Sequence, residues 1–187
     1  MNKKLPNGIS INIIDATEID VLDDKIKSKI GKIAKVDDYF VSENTEKFNQ
    51  LIIVDISNDS NLENILNLDI NISKNIELKP RFLFYSNKGT KSSIQINFDN
   101  NNAVINSVFE FYLDDKSEIN LVNIGDSKDS IEILNYWFEL NQSSNLKATF
   151  ISLGSQYTNK NDIRVNLMGK NQKLILGGYI FLTLIRS

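Results

Sequence analysis

The 187-residue chain has a net charge of −3, with 41% hydrophobic and 24% charged residues, and it contains neither cysteine nor histidine. Its size fits one domain with an ordinary apolar core, and the weak charge gives no long-range pull toward nucleic acid or anionic lipid. The missing thiols and imidazoles exclude disulfides, cysteine-ligated clusters, common zinc sites and histidine acid–base chemistry from this chain's own residues.

The opening, Met1-Asn2-Lys3-Lys4-Leu5-Pro6-Asn7-Gly8, has two lysines but no apolar run behind them, so it does not read as a secretory signal. Residues 1–50 are expected to form a small helical segment. Ile26, Ile30 and Ile33 recur at helical spacing, and Asp23 and Asp24 precede them where carboxylates favour a helix N-terminus. Lys25, Lys27, Lys29, Lys32 and Lys35 surround them as a solvated face; without aromatic anchors they do not read as a membrane-surface helix. A second short helix is predicted over Thr45 to Gln50, with Phe48 as its buried contact.

Residues 51–187 are expected to form the β core. Leu51 to Ile56 and the cleanly alternating Leu66 to Ile72 come first. Arg81 to Tyr85, Ser93 to Phe98, Val108 to Leu113, Glu118 to Ile124 and Ile131 to Leu140 follow. The last three are Leu146 to Leu153, Asp162 to Leu167 and Lys173 to Phe181. Turn clusters separate them at Asp114-Asp115-Lys116, Gly125 to Asp129, Asn141 to Asn145 and Gly169 to Gln172. The most apolar stretch, Leu174 to Ile185, contains Gly177-Gly178 and is shorter than the roughly 20 residues a membrane helix needs. Periodicity alone leaves an antiparallel sandwich and a β-solenoid both open.

Several groupings resemble chemical sites without meeting their requirements. The pairs Asp37-Asp38 and Asp114-Asp115 lie in expected turns, where adjacent carboxylates are solvated rather than set across a glycosidic bond. Gly89-Thr90-Lys91-Ser92 lacks the spaced first glycine and the following helix of a phosphate loop. Gly154-Ser155-Gln156-Tyr157 is not a nucleophile elbow, and no histidine exists to activate Ser155. Tyr136-Trp137-Phe138 reads as core packing with one outward ring, Trp137 being an interface-anchor candidate. Arg164 sits between Ile163 and Val165 and faces away from both; it is either solvent-facing or a rigidly held contact across an interface.

The ordered set from Val108 to Tyr179 resembles the SufB/SufD family of iron–sulfur assembly scaffolds. Val108-Phe109-Glu110-Phe111-Tyr112-Leu113 and Ser117 to Val122 are followed by a strand ending Phe138-Glu139-Leu140. Leu146 to Gly154, Thr158 to Gly169 and Lys173 to Tyr179 then parallel the family's run of a strand ending Leu-Gly-Gly, an Arg-Asn-containing strand and a closing Leu-x-Gly-x-Tyr strand. Ser155 stands for the second glycine and Lys160-Asn161 for the arginine-asparagine pair. Upstream, Asn44, Phe48 and Asn49, and Ile76 to Pro80, echo the family more loosely. The chain is similar to the SufD arm more than to SufB, whose longer insertions and N-terminal cysteines it lacks.

The resemblance implies a mainly β chain: a right-handed parallel β-helix behind the helical segment of residues 1–50, with residues 51–187 forming a core incomplete at its C-terminal end. It implies a non-enzymatic scaffold in a cytoplasmic SufB–SufC–SufD complex, with a SufB-like paralogue and a SufC-like ATPase as partners. The family continues beyond Phe181 into a histidine-containing stretch and a helical region that docks SufC, so Leu182 to Ser187 are expected to end a C-terminally truncated member. No catalytic, cofactor-binding or metal-ligating residue carries over, and an iron–sulfur cluster is expected only at the level of the assembled complex. The competing expectation is a β-solenoid carbohydrate-active or surface-binding domain.

Overall fold

The computed structural model describes residues 5–22, 24–57, 60–63, 65–72, 76–153 and 159–180. Within them run β1 (Ile9–Asp15), β2 (Gln50–Ile56), β3 (Ile65–Ile70), β4 (Ile76–Leu78), β5 (Arg81–Ser86) and β6 (Lys91–Phe98). Next come β7 (Ala103–Leu113), β8 (Glu118–Gly125), β9 (Ile131–Leu140), β10 (Asn145–Ser152), β11 (Asn159–Leu167) and β12 (Lys173–Ile180). A front sheet has the order β1-β2-β5-β7-β9-β11, with β4 beside β7, and a back sheet has the order β12-β10-β8-β6-β3. From β5 onward successive strands alternate between the sheets, and every neighbouring pair is parallel except β1 with β2. The chain is therefore a β-solenoid of about four turns, which removes the antiparallel sandwich.

The coil length is 27 residues over the middle of the stack. Arg81, Val108, Asn135 and Asp162 share one column of the front sheet, and Lys91, Glu118 and Asn145 share one of the back sheet. Inward columns are filled by like residues. Phe82, Phe109 and Tyr136 stack with ring centroids 4.4 and 4.6 Å apart, and Phe84, Phe111 and Phe138 with 4.2 and 4.7 Å. Leu66, Ile94, Leu121 and Ala148 oppose them from the back sheet, all buried. The parallel strand spacing of about 4.8 Å is close to the contact distance of two offset rings, so one aromatic per coil continues the column without a gap.

One turn design joins front to back. Asn87, Asp114 and Asn141 open it, and the backbone N–H three residues on donates back to each carbonyl. The hydroxyls of Thr90, Ser117 and Ser144 donate to the same carbonyls at 2.6, 2.7 and 2.8 Å. The third turn position is left-handed, with φ +73° at Gly89, +60° at Lys116 and +57° at Ser143. Only Gly89 takes that conformation freely, whereas Lys116 and Ser143 carry a Cβ against the carbonyl. Lys116→Gly and Ser143→Gly are each expected to stabilise the protein by about 0.5–1 kcal/mol, read as a higher urea midpoint at unchanged slope.

The N-terminal region differs from its sequence-based reading. Ile9-Ser10-Ile11-Asn12-Ile13 alternates and forms β1, an antiparallel edge on β2. The expected helix through Ile33 is only α1 (Asp24–Lys27), and α2 spans Tyr39–Lys47, so Phe48 ends it rather than sitting inside a helix from Thr45 to Gln50. Gly31, at φ +68°, is one reason the chain cannot continue as a helix past Ile30. Ile26, Ile30 and Phe48 nevertheless dock, against Leu51, Ile53 and Leu83, while Ile33 packs with Ala34, Val41, Val108 and Trp137.

Candidate functional site

The outer face of the front sheet is closed by the chain's own residues 24–48, which form a strap crossing successive coils. Its anchor is Arg81 beside Glu110, with Nε donating to Oε2 at 2.8 Å and both side chains buried. Glu110 also accepts the backbone N–H groups of Gly31, Ile33 and Ala34 at 3.0, 3.3 and 3.0 Å. Arg81 Nη1 donates to Thr45 Oγ1 at 2.9 Å and to Asn44 Oδ1 at 3.4 Å, while the Asn44 amide donates to the Pro80 and Asn106 carbonyls. A strap rich in unpaired backbone amides is thus fixed by one buried carboxylate, which is itself neutralised by one guanidinium.

The far end of the strap meets the last described coil. Arg164 Nη1 donates to Asp37 Oδ1 at 2.8 Å, Nη2 donates to Asp162 Oδ2 at 3.2 Å, and the guanidinium lies 4.7 Å from the Trp137 ring centroid. Lys160 Nζ lies 3.4 Å from Asp38 Oδ2 and 5.2 Å from the Phe40 ring centroid. Trp137 faces out of the solenoid but is buried beneath Ile33, Ala34 and Val41. Arg164 is therefore a partly covered contact within the chain, and Asp37 and Asp38 are the strap-side partners of Arg164 and Lys160 respectively rather than a catalytic pair.

Asp38 also caps α2, accepting the N–H groups of Phe40 and Val41 at 2.9 and 3.4 Å. Burial opposes its charge, but these amides and the Lys160 ammonium outweigh that and hold the carboxyl below its ordinary value of 3.8. A depressed folded value means the stabilisation is present above the unfolded pKa and is lost as pH falls through the folded one. Asp38→Ala is expected to cost about 1 kcal/mol at neutral pH and progressively less at acid pH, read from urea midpoints across the acid range.

A second buried polar cluster lies inside the solenoid, at the corner between back and front sheets. Glu132 accepts from the Ser127 hydroxyl, from Asn100 Nδ2 at 2.6 Å and from Asn159 Nδ2 at 3.3 Å. Asn100 in turn accepts from the Ile72 N–H at 2.9 Å. The cluster presents donors to a carboxylate already satisfied, which ties three coils together and leaves no acceptor set for a cation. The Tyr136 hydroxyl is buried without a partner among the described residues; burial, and secondarily the Glu132 charge, push it well above the usual phenol value.

The remaining sequence candidates fall apart as sites. Asp115 lies 3.5 Å from Lys88 on the turn edge, and Asp114 Oδ1 accepts the Asp115 N–H. Gly89-Thr90-Lys91 is the first of the repeated turns and leads into β6. Gly154 to Tyr157 and Leu182 to Ile185 lie outside the described residues. Among the described residues no cluster of three or more acidic side chains is arranged to hold a metal ion.

The open surface is the last coil. The inward column Leu66, Ile94, Leu121, Ala148 is buried throughout, yet its next member, Leu176, is 46% exposed. Leu174 continues the buried Ile119 and Leu146 at 38% exposure, and Leu167 continues Leu113 and Leu140 at 58%. Among the described residues no strand pairs with the outer edges of β11 or β12. Sequence reading expected a core incomplete at its C-terminal end, but which side chains of β11 and β12 are exposed depends on the coil register, which periodicity does not give.

Among the described residues no helix is long and apolar enough to cross a membrane. Comparison with protein-family models, with curated proteins and with solved structures finds no match.

Proposed function

We propose that the chain is a SufD-like scaffold subunit, acting in the cytoplasm within a SufB–SufC–SufD type complex and supporting iron–sulfur cluster assembly through protein contacts rather than catalysis. The observation that carries this reading is the last described coil, where core-type side chains and two unpaired strand edges meet on one surface. Such a surface suits a partner that is itself a stack of β-coils, because edge pairing supplies main-chain hydrogen bonds and the apolar column supplies burial. The stretch resembling the SufB/SufD family, Val108 to Tyr179, is the stretch that builds β7 to β12. In this proposal the coils wind right-handed, as parallel crossovers favour, residues 24–48 serve as the strap, and a cluster is held only in the assembled complex.

The test is capture of purified SufB-like and SufC-like proteins by the tagged chain. Capture of the SufB-like protein, with the SufC-like ATPase following it, is the expected result. Leu174→Asp with Leu176→Asp should abolish capture while leaving the melting temperature within a few degrees. No capture of either protein, or capture indifferent to the double substitution, overturns the assignment.

The back sheet supports the second reading. Its outer face carries Asn97 donating to Asp69 at 2.7 Å and Gln95 donating to Asn97 at 2.9 Å, with Tyr179 exposed beyond them. Two amides beside a carboxylate offer both donors and acceptors to glycan hydroxyls, although Ile124 and Ile151 separate them from Tyr179 along the column. Binding on a glycan array, lost in Asn97→Ala, would favour it over the scaffold.

A further inference from the structure

We infer that Asp37–Arg164 and Asp38–Lys160 form an ionic latch joining the strap to the last described coil, and that opening it uncovers the side of Trp137 that faces Val41 and Arg164 on the outer face of the front sheet. The strap has two kinds of attachment. Toward the first coils it is tied by the buried Arg81–Glu110 anchor, where neither side chain meets solvent. Toward the last coil it is tied by two ion pairs whose four side chains are all partly or largely exposed. Buried pairs are little affected by salt, whereas exposed pairs are screened as the Debye length shrinks from about 10 Å at 0.1 M to about 3 Å at 1 M. The attachment is therefore asymmetric, and the strap lifts first at β11.

Trp137 lies beneath the latched end. It packs with Ile33 and Ala34, which the Glu110 anchor holds, and with Val41, whose N–H bonds the latch residue Asp38, and it is faced by the Arg164 guanidinium. Arg164 is shared between Asp37 on the strap and Asp162 on its own strand, so release of Asp37 leaves it a partner and lowers the cost of opening. Lys160 differs: its partners, the Asp38 carboxylate and the Phe40 ring, both lie on the strap. The latch is charge-complementary by position: two adjacent carboxylates on the strap meet two cations that alternate on one face of β11.

Trp137 is the only tryptophan, so its fluorescence reports the latch directly. Acrylamide quenching of the whole chain is measured from low to high sodium chloride, together with hydrogen exchange at Phe40 and Val41. The open population is expected to rise about two- to five-fold across the titration, the factor one exposed ion pair corresponds to. The double variant Asp37→Asn with Lys160→Gln should start at the high-salt value and lose its salt dependence. Lys79→Gln, at the opposite end of α2 where Lys79 pairs with Glu43 and Glu77, should leave Trp137 quenching unchanged. Quenching flat with salt in the unmodified protein overturns the latch, even if the double variant fails to fold. So does a folded double variant that quenches and responds to salt like the unmodified protein.

Discussion

Replacing Glu110 by methionine is expected to destabilise the protein by about 3–5 kcal/mol, the scale for breaking a buried ion pair by removing one partner. The substitution strands the Arg81 guanidinium, whose Nη2 already has no partner among the described residues, and it orphans the amides of Gly31, Ile33 and Ala34 together. Arg81→Met should cost less. The carboxylate it leaves behind still accepts three backbone N–H groups, and these partly offset its burial. The double variant should recover only a part of the summed cost, with a coupling of about 1–3 kcal/mol, because restoring charge balance does not give the three amides an acceptor. Urea unfolding of the four proteins measures the cycle, and hydrogen exchange at Gly31, Ile33 and Ala34 locates the loss. A Glu110→Met protein within about 1 kcal/mol of the parent would mean that apolar contacts alone hold the strap.

The difference between Glu110 and its neighbours also marks where sequence reading stops. In Phe109-Glu110-Phe111 the alternation correctly places two rings inward and the carboxylate outward, and outward ordinarily means solvent. What covers Glu110 is a segment 76 to 79 residues earlier, and no local period carries that information. Arg81 was legible only as the start of a strand for the same reason. The strands fared better because their signal is local: Ile131 to Leu140 matches β9 end for end, and Glu118 to Ile124 falls one residue short of β8.

The 27-residue repeat was legible in principle. Asn87, Asp114 and Asn141, each followed three residues later by Thr or Ser, form a register mark, and the aromatic columns at 82, 109, 136 and at 84, 111, 138 form another. Outward columns hide it, since Arg81, Val108, Asn135 and Asp162 occupy equivalent places with unlike side chains. Each outward position answers to what lies over it, while inward positions answer only to the coil above and below. β1 was missed differently: its alternating isoleucines stand within residues 1–50, where a helical period was read from Ile26 onward.

Those inward columns lead to the second large expected effect, at Phe109. Its ring is stacked between Phe82 and Tyr136 and meets Phe98 edge-on at 6.0 Å, so among the described residues it is the one position that contacts aromatics of the coil below, the coil above and the opposite sheet. Phe109→Ala is expected to cost about 3–5 kcal/mol, since coils fixed by ladder hydrogen bonds on both sides cannot close the cavity. Phe82→Ala removes the same atoms from the end of that stack, where the ring has one stacked neighbour in its column, and should cost less. In a solenoid the stability is a sum of coil terms and nearest-neighbour interfaces, so the ring-on-ring part is lost at two interfaces with Phe109 but at one with Phe82, whose other neighbour in the column is Ile52. Urea unfolding distinguishes this from a uniform core: a Phe109→Ala curve with reduced slope, or one splitting into two transitions, would mean the stack parts at β7 into separately melting halves. Equal costs at Phe82 and Phe109 would instead place the stability in each coil on its own, with the ring stack filling space rather than coupling the coils.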